Sequence, residues 1–479
     1  SAESVRGCSP GRTCTRPSTG IFTVNRFLIS AAHKSSGKTI VSVGLAAALR
    51  QRGLSVVSFK KGPDYIDPMW LGQASGSPCW NLDFFTMHSD EITACYRRRS
   101  HGADVALVEG NKGLHDGLDV EGGDSNAALA KQLDLPVVLV IDVTGITRGI
   151  APLLTGYTAF DPAVGIAGVI LNRVAGPRQE TKLRAAVERY TALPVLGAIP
   201  RLESTIIEER HLGLVPTGEQ GQVQDRIQNV AYEIARCVNI DQLLHLTTTP
   251  VVAKPVLPEV GYSNPIDLRI GIARDPAFGF YYPDDLAAFA KAGVELVPFD
   301  TLRDSCLPEV EGLFIGGGFP ESFLDGLSAN TGMRTAVRRF IEADGPVYAE
   351  CGGLMYLCRS IRWQGQRADM VGVVPADAVV KTRPVGRGYM VFNPTPHHPW
   401  PVVAASPDKE YRVHEFHYSQ LENLDNRTNM VLQVKRGHGI NGQFDGFVYR
   451  NLLATYAHQR HVRDNPWVDG FVDFVRACR

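Results

Sequence analysis

At 479 residues the chain exceeds what one hydrophobic core organises, so two domains are expected, each burying a core of its own. The net charge is −1, from 49 basic against 50 acidic side chains, and no block of like charges is long enough to attract nucleic acid or a membrane surface. Apolar stretches are strand-length or broken by Gly, Pro or charge and none reaches the ~20 residues of a membrane span, which predicts a soluble protein acting on small molecules.

Nine cysteines lie scattered without paired C-x-x-C spacing. That argues against a disulfide framework or zinc ribbon and predicts reduced thiols in the cytoplasm. Residues 1–26 carry Arg6, Arg12, Arg16 and Arg26 among Ser, Thr, Gly and Pro and lack the apolar core of a secretory signal, so they read as a disordered extension.

From Phe27 to Thr39 the sequence FLISAAHKSSGKT runs from an apolar strand into a loop of small and polar residues. A helix is predicted to follow from Ile40 to Leu49. This is the layout of a phosphate-binding loop. Backbone N–H groups at Gly37 and the helix start at Ile40 point at an anion, Lys38 adds a fixed charge, and the Thr39 hydroxyl can ligate Mg²⁺. Ala32 stands where the first glycine of the usual pattern falls, and Lys34 has no assignable role.

Short apolar blocks then recur to about residue 200: VVSFK at 56–60, VALVEG at 105–110, VVLVID at 137–142, IAGVILN at 166–172 and VLGAIP at 195–200. Continuous blocks separated by helix-length polar segments predict parallel strands covered on both faces, a doubly wound α/β domain over 27–245. Ligands in such sheets bind beyond the carboxyl ends of the strands, and those positions carry reactive residues here. After the second block come Lys60, Asp64 and Asp67 in a Gly/Pro-rich turn. The carboxylates can ligate Mg²⁺ or position a polar substrate, and Lys60 can neutralise a phosphoryl oxygen; a solvated turn is the bland alternative. Glu109 ends the third block, where a Walker-B acid holds a metal. Asn172 ends the fifth, where an amide reads a purine edge or caps the strand.

The Pro-rich stretch at 246–267 reads as a linker. A second α/β series over 268–479 begins with RIGIAR at 269–274 and includes GLFIGGG at 312–318 and PVYAEC at 346–351. Its later runs alternate more and predict antiparallel strands, and Trp467 to Cys478 reads as an amphipathic closing helix. PVYAE leads straight into Cys351-Gly352-Gly353, a strand-to-helix turn that exposes a nucleophile and favours its thiolate. Cys358, in the helix expected to follow, is assigned to structure. Gly316, Gly317 and Gly318 offer consecutive N–H donors for an oxyanion, and His458 is the candidate base, with His414, His417 and His461 as alternatives. The pair His397-His398 reads as solvated.

FKKGPDYIDP, NLD at 81–83, VEGNKGLHDG and ERHLGLVP at 209–216 resemble the cobyrinic acid a,c-diamide synthases, relatives of dethiobiotin synthetase that carry a fused class I glutamine amidotransferase domain; HEFHYS at 414–419 matches the same branch. The resemblance spans about 27–466. It implies ATP at Lys38 and Thr39, Mg²⁺ near Thr39, Asp64 and Glu109, and substrate or activated intermediate at Asp64, Tyr65, Asp67, Glu109 and Asp116. Tyr65 and Ile66 then lie near the determinant of which carboxylate reacts first, and Lys112 and His115 flank the substrate pocket. Full amidotransferase triads have a Glu two residues after the histidine; Arg460 stands there, so a Cys351–His458 dyad is expected. The implied activity is ATP- and glutamine-dependent amidation of tetrapyrrole acetate groups by a homodimer, on cobyrinate, hydrogenobyrinate or, in a sister branch, sirohaem. A regulatory P-loop ATPase with an inert second half is the competing class, and an intact Cys351 and His458 argue against it.

Overall fold

The structure, a computed structural model, describes residues 21–201, 209–210, 213–214, 223–252, 264–424 and 429–479. Half of ERHLGLVP, half of the expected linker and residues 1–20 lie outside these. Among the described residues no helix is long and apolar enough to cross a membrane, and the seven described cysteines are free.

The first domain is built on β1 (Ile21–Ala31), β2 (Val56–Lys61), β3 (Trp80–Leu82), β4 (Val105–Glu109), β5 (Val137–Asp142), β6 (Ile166–Val174) and β7 (Val195–Pro200), in the order β3-β2-β4-β1-β5-β6-β7. Neighbours run parallel throughout. Alternate residues of the continuous apolar blocks feed two separate cores. Leu28, Phe59, Val108 and Leu139 pack on one face of the sheet, and Phe27, Ile29, Leu107 and Val140 on the other. Burial of each such side chain contributes about 1.5–3 kcal/mol. Residues 209–210 and 213–214 pair as β8 and β9.

Two expected boundaries move. β1 begins at Ile21, inside the expected extension, and β10 (Thr248–Val252), inside the expected linker, pairs antiparallel with Ile21–Asn25. Pro250 argued for a linker, but an edge strand tolerates a residue without an N–H, and the Thr and Val around it favour extended backbone.

The second domain contains β11 (Leu268–Ala273), β12 (Phe278–Phe280), β13 (Val294–Phe299), β14 (Gly312–Ile315), β15 (Gly317–Gly318), β16 (Val347–Glu350), β17 (Cys358–Trp363), β18 (Gln366–Asp369), β19 (Val374–Val380), β20 (Gly386–Pro394), β21 (Tyr411–His417), β22 (Ser419–Glu422), β23 (Met430–Arg436), β24 (Phe444–Tyr449) and β25 (Leu452–Thr455). Its main sheet runs β13-β11-β14-β16-β25-β24-β23-β20-β21, parallel up to β25 and antiparallel beyond, as the alternating later runs predict. A second sheet, β18-β17-β19-β22, lies beside it. The closing helix Trp467–Ala477 buries Trp467, Val468, Phe471, Val472 and Val475. The helix after the elbow is only Gly352–Leu357, so Cys358 opens β17 instead, buried and donating to the Leu354 carbonyl at 3.3 Å.

Candidate active sites and their common wall

Gly37 sits at φ +84°, a left-handed conformation that an L side chain adopts only under strain. A Cβ there would also fall 2.3 Å from Nδ2 of Asn172. That amide donates one of its two N–H groups to the Ser36 carbonyl at 2.8 Å, so Asn172 fastens the loop. Ala32 is not among the residues of positive φ, which removes the need for glycine at that position; its carbonyl accepts from Tyr157 Oη at 2.6 Å. Lys34 is exposed at the loop crest.

Helix α1 (Lys38–Gln51) starts inside a cluster of charges. Lys60 Nζ lies 2.5 Å from Asp67 Oδ2 and 2.7 Å from Glu109 Oε1, and the Thr39 hydroxyl donates to Glu109 at 2.8 Å and to Asp67 at 3.2 Å. Asp67, and not Asp64, therefore joins Thr39 and Glu109. Asp64 Oδ1 instead accepts from the N–H groups of Ile66 and Asp67 and caps the start of α2 (Ile66–Ser75). Three residues along a turn entering a helix point apart, and the cap takes the first carboxylate of the pair. Burial and then the charge of Asp67 push the Asp64 carboxyl up to about 7. Lys60 is fully buried, yet Asp67 and Glu109 hold it charged well above the ordinary lysine range. Lys38 is pulled down to about 8 by burial first and by Lys60 second.

Glu109 is fully buried behind Lys60 and Thr39. Ile66 packs into the core with Trp70 and Leu71, and the Ile40 side chain packs against that same core, leaving only its backbone toward the loop. Lys112 is exposed at φ +38°. His115 is half-buried against Tyr157 and Phe160, its Nε2 unpartnered and its imidazole held below the ordinary range by burial. Asp116 accepts from the Gly113 N–H at 2.9 Å.

In the second domain Cys351 occupies φ +47°, ψ −98°, the strained turn of a nucleophile elbow. Closing that turn requires the two glycines after it. A Cβ on Gly352 would lie 2.9 Å from the Gly318 nitrogen, and one on Gly353 only 2.2 Å from the Ile315 oxygen. The Gly316 N–H is already held by Tyr281 Oη at 3.1 Å and drops out as an oxyanion donor. Gly317 and Gly318 remain beside the elbow, and a Cβ on Gly317 would touch His458 Cε1 at 2.7 Å.

His458 is buried beside Cys351. Burial lowers its pKa, but the Cys351 sulphur and the Glu350 carboxylate outweigh burial and bring it up to about 10. His414 stacks on it at 4.8 Å and is held neutral by burial and by the His458 charge. His417 lies on Tyr456, with Nδ1 at 2.8 Å from the Ser419 oxygen, and the His461 N–H donates to Asp285. Among the described residues none of these three is hydrogen-bonded to Cys351, whose sulphur lies 3.9 Å from the Phe416 carbonyl. His398 is buried, accepts from the Trp400 N–H and is pulled down to about 3; the reading of 397–398 as solvated holds only for exposed His397.

Three relationships were unseen in the sequence, and the first two cross between the domains. Tyr65, from the turn that carries Asp64, stacks on Phe280 at 5.3 Å and lies tilted by 49° against the His458 ring at 5.3 Å, with its hydroxyl 3.4 Å from His458 Nδ1. Arg460 is buried, bonded to Asp284 at 2.6 Å and to the Asn81 carbonyl at 2.5 Å, and so ties the second domain to the first. Glu350 Oε2 lies 3.7 Å from His458 Nδ1. A cavity of ≈ 1050 Å³ opens between the domains, lined by Asp64, Tyr65 and Met69 on one side and Arg274, Phe280 and Gly318 on the other.

Comparison with known proteins agrees with this division. Residues 28–214 match the CobQ/CobB/MinD/ParA nucleotide binding domain, and residues 269–466 match the CobB/CobQ-like glutamine amidotransferase domain. A cobyrinate a,c-diamide synthase of Magnetococcus marinus is 45% identical over 95% of this chain and 98% of its own length. Enzymes of the same name from Methanosarcina acetivorans and Archaeoglobus fulgidus are 38% and 37% identical, covering 91% and 94% of this chain and 92% and 97% of their own. Both halves are matched in the order the fold shows, by relatives that align along nearly their whole length, and the chain belongs to the cobyrinate a,c-diamide synthase family.

Proposed function

We propose that the chain uses ATP and glutamine to convert the a and c acetate groups of cobyrinate to amides. The carrying observation is the contact of Tyr65, in the turn of Asp64, with His458 beside the elbow cysteine. That contact supports a reading in which an ammonia source and a carboxylate-activating site share one wall. The names of the relatives favour cobyrinate and set the sirohaem reading aside.

In the amidotransferase half the Cys351 thiolate adds to the side-chain amide carbon of glutamine, and His458 delivers the former thiol proton to the departing ammonia. The Gly317–Gly318 segment faces the oxyanion. Ammonia crosses past Tyr65 through the cavity between the domains. In the other half Lys38 and Lys60 hold the phosphoryl oxygens as the substrate carboxylate becomes an acyl phosphate. Asp64, poised near neutrality, takes the proton that ammonia sheds as it displaces phosphate. Lys112 and His115 border the rim where further carboxylates of the macrocycle come to rest.

The residues fit Mg²⁺: Thr39 Oγ1 and the carboxylates of Asp67 and Glu109 converge, and Glu109 Oε2 is buried with no partner. One or two carboxylates plus phosphate oxygens are what that ion takes. When bound it would neutralise phosphate charge during transfer.

Mass spectrometry of products from MgATP, glutamine and cobyrinate tests the reading. Two acid-to-amide conversions are expected with the intact chain, and none with Cys351→Ala unless ammonium is supplied. Amidation of a sirohydrochlorin but not of cobyrinate overturns the substrate assignment, and glutamine-driven amidation by Cys351→Ala overturns the nucleophile.

A further inference from the structure

The position where an acid would steady the histidine of a full triad holds Arg460, and that side chain turns away from His458 toward Asp284 and Asn81. A guanidinium cannot accept the imidazole proton in any case. An acceptor nonetheless stands at His458 Nδ1, delivered by a different strand. β16 ends at Glu350, one residue before the nucleophile. Strand alternation puts Glu350 on the same face as Tyr348, whose hydroxyl donates to Glu350 Oε1 at 2.6 Å. The Gln459 N–H donates to that same oxygen at 2.9 Å, and Gln459 Nε2 closes the ring by donating to Tyr348 Oη at 3.0 Å. One carboxylate oxygen is thus fixed by two donors, and the other, Oε2, is left 3.7 Å from Nδ1 of His458. Both side chains are buried, at 2% and 3% exposure, so their charges meet with little screening by water.

We propose that Glu350 is the acid that positions His458, so that glutamine hydrolysis runs on Cys351, His458 and Glu350 with the acid supplied by the nucleophile's own strand. This rests on the reading of Cys351 and His458 as the glutaminase pair. The Cys351 thiol proton passes to the imidazole, the thiolate forms its bond to the glutamine amide carbon, and the imidazolium then gives the proton to the nitrogen as the C–N bond breaks. Glu350 forms and breaks no covalent bond in these steps. It holds the Nδ1–H orientation and favours the imidazolium, the role a buried carboxylate plays beside a catalytic imidazole. The other groups facing His458 are Tyr65, Cys351 and the neutral His414 ring; Tyr282 and Arg460 stand behind His414. Apart from the Cys351 sulphur, Glu350 is the negative group that approaches the imidazole, at Nδ1.

Glu350→Gln keeps the shape and an oxygen for Tyr348 and Gln459 but removes the charge. The expected result is a fall in kcat for glutamine hydrolysis of about 10²-fold or more, with KM for glutamine little changed. The alkaline limb of the pH profile should move to lower pH, and ultraviolet titration should show less Cys351 thiolate at neutral pH. Glu350→Asp should recover part of the rate and of the shift. An unchanged rate and profile in Glu350→Gln overturns the proposal. So does a lost rate with an unmoved pH limb and thiolate titration, which is what a purely structural role predicts. Amidation of cobyrinate driven by ammonium keeps the two readings apart: its failure in the unmodified chain sinks the proposed function, while the hydrolysis and thiolate measurements still decide Glu350.

Discussion

The hydroxyl of Tyr65 lies 3.4 Å from Nδ1 of His458, across 393 residues of sequence and a domain boundary. The same nitrogen lies 3.7 Å from Glu350 Oε2, so a partner from its own domain and one from the other approach the same edge of the imidazole. Tyr65 is rooted in the turn whose neighbours, Asp64 and Asp67, lie at the activation site. Whatever occupies that site and shifts the turn alters the competition at Nδ1.

Tyr65→Phe tests this. Phenylalanine keeps the stacking on Phe280 and removes the hydroxyl, leaving Nδ1–H to Glu350. A neutral hydrogen bond contributes ~0.5–1.5 kcal/mol, so glutamine hydrolysis without acceptor should rise by up to about tenfold. The glutamine consumed per amide formed should rise with it. An unchanged ratio shows that the contact does not couple the sites.

For Asp64 the pH direction is explicit. Its folded pKa, about 7, lies above the ordinary value of 3.8, so the folded chain binds more protons than the unfolded one between those values. The charge penalty is absent below about 4 and complete above about 7. Asp64→Asn can still accept from the Ile66 and Asp67 N–H groups and keep α2 capped. Its thermal midpoint should exceed that of the parent at pH 8 and match it at pH 4. Amidation should fall by about 10²-fold or more, while glutamine hydrolysis continues. Retained amidation counts against Asp64 as the proton acceptor.

The sheets were readable because continuous apolar blocks such as Phe27-Leu28-Ile29 have no polar face, and only a strand covered on both sides accommodates them. Thr248–Val252 was not readable, since its partner lies more than 220 residues earlier and a five-residue edge strand carries too short a pattern. The phosphate loop and the elbow are local motifs with local geometry, so their residues were legible. Asp64 accepts at the start of α2 while Asp67 joins Lys60 and Thr39, because a cap and a charge cluster competed for the same short turn. Glu350 and Tyr65 share a further reason for escaping notice. Each acts on His458 through a contact that adjacency in sequence does not encode, and the expected place for the acid, Arg460, pointed the wrong way.

Lys38 predicts how nucleotide affinity follows pH. Burial and Lys60 hold it at about 8, so without nucleotide it loses its charge as pH rises through that value. Phosphate oxygens restore the charge, and above about 8 ATP binding must take up a proton. Affinity should therefore decline with rising pH, approaching about tenfold per pH unit. Calorimetry in buffers of differing ionisation enthalpy should show proton uptake at pH 9 and little at pH 7. Buffer-independent heats at pH 9 would contradict a depressed Lys38.

Arg460 carries the sharpest prediction for stability. It is buried, its guanidinium bonds Asp284 and the Asn81 carbonyl, and its face lies 5.3 Å from the Tyr282 ring centre. Arg460→Met fills most of the volume but strands Asp284 and the carbonyl without their donor. Breaking one side of a buried pair costs about 3–5 kcal/mol, whereas replacing both sides can be neutral. Arg460→Met alone should lower the unfolding midpoint clearly, and Arg460→Met with Asp284→Leu should regain much of that loss. Because Arg460 also joins the domains, the single variant should lower amide formed per glutamine more than it lowers glutamine hydrolysis. A double variant no more stable than the single one would show that Asp284 is not what Arg460 serves.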